Sequence, residues 1–107
     1  PFAEEEAILQ AIARTTAQLH EQGLLHKDYS RGNILFALTE QGVKVEIIDL
    51  NRIRFKQIGW MEGCRNFERL PLTDRMLHTL TIAYAQARGF DEKQCLRWMQ
   101  AHHTNRL

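Results

Sequence analysis

With 107 residues, 44% of them apolar and 25% charged, the chain is the size of one small domain or one lobe of a larger one, with the composition of an ordinary globular protein. A formal net charge of +1 leaves no global field to draw nucleic acid, and no apolar run approaches the roughly 18 residues needed to cross a bilayer. Cys64 and Cys95 are too few for a disulfide framework, fit a reducing compartment, and with His102 and His103 do not match a compact zinc spacing.

No basic stretch followed by an apolar one marks a secretory signal, and a chain that opens on Pro1 is expected to have been processed or cut from a longer one. Ile8, Ile12 and Leu19, with Leu9 and Thr16 beside them, recur at helical spacing and predict a helix over residues 3–22. Glu4, Glu5 and Glu6 suit its first turn, where the helix dipole favours negative charge, and Gly23 can stop it. The polar stretch 26–33 has no period and reads as a loop. Two β-prone runs around the turn Thr39-Glu40-Gln41-Gly42 predict a hairpin over 34–48, with Val43, Val45 and Ile47 on a buried face and Lys44 and Glu46 on a wet one. Residues 52–67 read mostly as basic loop, with Arg52, Arg54, Lys56 and Arg65, and a short helix around 62–69. Two further helices follow: 72–87, started by Thr73 or Asp74 and ended by Gly89, and 91–103, with Asp91 as its N-cap. The order helix, loop, hairpin, loop, helices is that of an α+β fold.

The chemistry sits between residues 26 and 51. Phosphoryl transfer from ATP needs a group to accept the attacking hydroxyl's proton and hard oxygen ligands to hold Mg²⁺. Asp28 and Asn33 are five apart, the H-x-D-x-x-x-x-N spacing of a kinase catalytic loop. Asp49 follows the hairpin that starts directly after Asn33, so doubling the chain back should bring it near Asn33. The lone D-x-x-x-x-N pattern carries little weight, and its context of helix, strand, turn, strand and acid carries much more. In the blander reading Asp28 and Asn33 are turn residues and Asp49 pairs with Arg52 or Arg54, as surface ions often do.

The segments HKDYSRGNILF and VEIIDLNRIRF resemble those of the lipopolysaccharide core kinases, the Kdo and heptose kinases of Gram-negative bacteria, within the protein-kinase-like superfamily. The likeness is close over about 19–70 and looser elsewhere. It implies a protein-kinase-like C-terminal lobe, mainly helical with a β-hairpin after the catalytic loop. It also implies ATP-dependent phosphorylation of a hydroxyl on an anionic inner-core sugar, in the cytoplasm at the inner face of the inner membrane. Carried over by position, Asp28 is the catalytic base, Asn33 and Asp49 are Mg²⁺ ligands, and His26 and Lys27 brace the loop. Ser30, Arg31 and Arg52 are candidate substrate contacts. Lys27 stands where protein kinases usually have arginine, Ser30 where many carry a phosphate-contacting lysine, and Asn51 where glycine is common. No Gly-rich loop and no strand lysine paired with a helix glutamate is present. The resemblance assigns those parts to an N-terminal lobe, so the 107 residues alone are expected neither to bind ATP tightly nor to turn over.

Two other readings stand beside this one. Aminoglycoside or choline kinases of the same superfamily use a similar loop, but their cationic substrates call for acidic acceptor sites, and the run after Asp49 is basic. A pseudokinase or binding module would have no need to keep Asp28, Asn33 and Asp49 together.

Overall fold

The computed structural model describes residues 2–107. Helix α1 (Phe2–Glu21) lays Leu9, Ile12, Ala13, Thr16 and Ala17 against helix α3 (Asp74–Arg88), which answers with Leu77, Leu80, Thr81, Tyr84 and Ala85. Apolar side chains three and four apart line one face of each helix, and removing those faces from water drives the pair together. Helix α3 begins where Thr73 Oγ1 accepts the Met76 N–H (3.1 Å), which satisfies one orphan donor of the first turn. Asp91 caps helix α4 (Glu92–His102) in the same way through the Gln94 N–H, and Cys95 and Met99 turn its buried stripe onto α3 and onto helix α2 (Trp60–Arg65).

The hairpin pairs strand β2 (Ile34–Thr39) with strand β3 (Gly42–Ile47), in register from Ile34↔Ile47 to Thr39↔Gly42. In β3, Val43, Val45 and Ile47 are half-buried and Lys44 and Glu46 exposed, as the alternation requires. Strand β2 buries only Ile34, and Leu35, Phe36 and Leu38 stand about half exposed.

Three local expectations are corrected. Residues 26–33 are not all loop. His26 ends a short strand, β1 (Leu24–His26), and Arg31–Asn33 form a 3₁₀ turn. Residues 52–67 hide the partner of β1, strand β4 (Ile53–Phe55), antiparallel with His26 opposite Ile53. The short helix runs over Trp60–Arg65 rather than 62–69, and turns occupy 66–69. Paired backbone groups, not side-chain periodicity, make strands of three residues, so sequence alone leaves them silent.

Candidate active site

Strand β1 delivers His26 to the base of the loop, where the side chain is 1% exposed. Its Nδ1 accepts the Asp28 N–H (3.1 Å), which fixes the tautomer, so Nε2–H donates to the Ile48 carbonyl (2.9 Å). One neutral imidazole therefore ties the start of the loop to the end of the hairpin. The Lys27 N–H donates to Arg52 O (2.8 Å), and the Ile48 N–H donates to Asn33 O (2.9 Å). Both backbone groups of Ile48 are thus committed to the loop, and Asp49 follows directly.

Asp28 and Asn33 touch. Asn33 Nδ2 donates to the Asp28 carbonyl (2.8 Å) and reaches its carboxylate Oδ2 (3.4 Å). Two acceptors on Nδ2 fix the amide orientation and leave Asn33 Oδ1 without a hydrogen bond among the described residues. The other carboxylate oxygen of Asp28 accepts from Arg69 Nη1 at 2.5 Å. Asp49 adopts φ 62°, ψ 55°, the one non-glycine residue in the left-handed region among those described. Its carboxylate lies 4.0 Å from Arg52 Nε, with both groups well exposed, a pairing worth little. Lys27 and Arg31 are exposed, and Ser30 donates its N–H to Asp28 O (2.9 Å). Arg31 also borders an open groove of about 500 Å³, lined by Ile8, Ile12, Phe36, Leu70 and Met76 with Glu4 and Glu5 at its edge. The run expected to be basic loses a cation: Lys56 Nζ is spent on Glu62 at 2.7 Å.

A second layer holds this loop from behind. Asn66 Nδ2 donates to the His26 carbonyl (2.9 Å), which turns Asn66 Oδ1 toward His20 Nε2–H (2.8 Å). His20 Nδ1 then accepts from the Tyr84 hydroxyl (2.6 Å), and that oxygen accepts from Arg88 Nη1 (2.6 Å). Arg88 is anchored by Glu21 at 2.8 Å and by the Ile58 carbonyl at 2.6 Å. Tyr29, next to Asp28, donates to Thr16 Oγ1, whose own proton goes to Ile12 O, and burial pushes the Tyr29 phenol up to about 12. Sequence reading singled out none of Asn66, His20, Tyr84 or Arg69 for the site, because their roles exist only once distant segments meet.

Burial, reinforced by Arg88, lowers His20 from 6.5 to about 4, so it stays neutral near pH 7. Between those values the unfolded side chain takes a proton that the folded one refuses. The stabilisation is complete above pH 6.5 and is lost as pH falls toward 4, by up to about 3 kcal/mol. Urea midpoints across pH 4–7 are expected to fall more steeply for the wild type than for His20→Gln.

Among the described residues no three His, Cys, Asp or Glu side chains form a metal cluster. The carboxylates of Asp28 and Asp49 and the amide oxygen of Asn33 are hard oxygens, the kind of donor Mg²⁺ would take, and Asn33 Oδ1 makes no hydrogen bond among the described residues. Cys64 and Cys95 are buried free thiols, and burial raises both pKa values, so neither offers a thiolate. No curated protein and no solved structure matches the chain. A sequence model of the lipopolysaccharide kinase (Kdo/WaaP) family matches residues 2–101, a span that includes every site residue described above. The chain belongs to the lipopolysaccharide kinase (Kdo/WaaP) family.

Proposed function

We propose that the chain is the catalytic, protein-kinase-like lobe of an ATP-dependent phosphotransferase that phosphorylates a hydroxyl of an anionic inner-core sugar, Kdo or heptose, at the inner face of the inner membrane. Family membership supports a lipopolysaccharide kinase in general. The observation that carries the site reading is the junction of loop and hairpin. Asn33 grips Asp28 with its amide N–H and leaves its amide oxygen free, while Ile48 hydrogen-bonds Asn33 O and hands the chain to Asp49.

In this reading Asp28 accepts the proton of the attacking sugar hydroxyl. Asn33 and Asp49 hold Mg²⁺, which when bound neutralises charge on the phosphates of ATP. His26 and Asn66 keep the loop backbone in place, so the base is oriented before substrate arrives. Arg31 and Arg54, whose guanidinium groups make no hydrogen bond or ion pair among the described residues, suit an anionic acceptor better than an aminoglycoside or choline.

The test incubates the full-length gene product with γ-labelled ATP and deacylated inner-core oligosaccharide. Label on the sugar that requires Mg²⁺ is the expected result. Transfer only to aminoglycosides or choline would move the protein to the small-cation kinases. A Mg²⁺-dependent thermal shift with ATP and no transfer to any sugar would make it a binding module.

A further inference from the structure

Within the phosphotransferase reading, we propose that Arg69 is a catalytic residue that supplies the cation at the transferring phosphoryl group. The attacking hydroxyl must come within about 3 Å of Asp28 to give up its proton. In the transfer, that oxygen bonds to the γ-phosphorus, the bond from phosphorus to the bridging oxygen breaks, ADP leaves with the electron pair, and the hydroxyl proton goes to Asp28. Charge spread over the three equatorial oxygens passes a few ångströms from the Asp28 carboxylate, and fixed cations there lower the barrier most.

The loop itself offers no such cation in contact with Asp28. His26 is neutral with both ring nitrogens engaged, and Ser30, two residues past Asp28, brings no charge. Arg69 alone among the described cations touches the carboxylate, at 2.5 Å, from 41 residues away. Its backbone is fixed. Phe67 and Leu70 on either side are buried, Asn105 Nδ2 donates to Arg69 O (2.8 Å), and His103 Nε2 pairs with Leu70 O (2.9 Å). Its side chain is 61% exposed, and Nε and Nη2 make no hydrogen bond among the described residues, so most of the guanidinium fork remains open to a ligand. An ion pair this exposed adds little stability, so folding does not account for the placement.

The experiment uses the full-length gene product with Arg69→Gln, Arg69→Ala and Arg69→Lys. Loss of the charge is expected to lower kcat by about 10²–10³-fold, with the acceptor KM within about threefold of wild type. Arg69→Lys is expected to stay at least about tenfold above Arg69→Ala. A binding readout needs no acceptor: ADP with aluminium fluoride and Mg²⁺, a mimic of the transferring group, should raise the wild-type melting temperature beyond ADP alone. Arg69→Gln should lose that increment and keep the ADP shift. An unchanged increment, or a raised acceptor KM with intact kcat, overturns the inference while the kinase reading survives. No ADP shift in the wild type brings down both.

Discussion

Replacing Asp28 by asparagine is expected to reduce phosphate transfer by the full-length gene product about 10²–10⁴-fold while leaving the fold intact. An amide is close to isosteric with the carboxylate but cannot take a proton from the sugar hydroxyl. The structural loss is small because the backbone contacts of residue 28, its N–H to His26 and its carbonyl to Asn33, do not involve the side chain. What the substitution touches is the long contact from Asn33 Nδ2 (3.4 Å) and the ion pair to Arg69, whose two side chains are 61% and 34% exposed. Pairs screened to that degree contribute about 1 kcal/mol or less. Transfer assays and thermal melts on the same samples check both halves of the expectation. Activity within tenfold of wild type would remove Asp28 from the role of base.

Among the glycines, Gly63→Ala is expected to be the most damaging change. Alanine favours a helix interior over glycine by about 1 kcal/mol, so propensity alone predicts stabilisation. The space forbids it. A Cβ on Gly63 would lie 2.0 Å from the Tyr84 hydroxyl oxygen and 2.9 Å from Cζ. Tyr84 cannot step aside cheaply, because its ring is fully buried, edge-on to Phe67, and its hydroxyl bonds both His20 and Arg88. Overpacking of this kind costs about 1–3 kcal/mol, and two disturbed buried hydrogen bonds add about 1 kcal/mol each. A net loss of about 3 kcal/mol of unfolding free energy, read as a lower urea midpoint, is the expected outcome. Transfer should fall too, because moving Tyr84 frees His20, and with it Asn66, the side chain that donates to the carbonyl of His26. In a double-mutant cycle, Tyr84→Phe combined with Gly63→Ala should cost less than the sum of the single changes, since the clashing oxygen is then absent.

The elements that sequence reading places well are those whose information is local. The amphipathic stripe of α1, the Asp91 cap of α4 and the alternation of β3 are each written within a dozen residues. The contact of Asp28 with Asn33 is local as well, a spacing of five closed by one side-chain amide. What stays hidden comes from elsewhere in the chain. Strands β1 and β4 have three residues each and no usable period, and only their pairing across some thirty residues makes them strands. Arg69 sits in a turn with nothing nearby to distinguish it from Arg65. Its meaning depends on Phe67, Leu70 and the tail around Asn105 carrying it to the loop. Lys56 errs the other way: it reads as part of a basic run and is consumed by Glu62 in the first turn of the next helix.

The left-handed backbone at Asp49 makes two demands on one side chain. Aspartate and asparagine tolerate that conformation better than other residues with a Cβ, for which it costs about 1–2 kcal/mol. Asparagine therefore keeps the bend and removes only the charge, and glycine keeps the bend and removes the carboxylate that the proposed Mg²⁺ site would use. Alanine and glutamate disturb the path of the chain before any ion is involved. Of the twenty amino acids, aspartate alone combines an easy turn with an anionic oxygen, which narrows what this position can become without changing how the polypeptide leaves the hairpin.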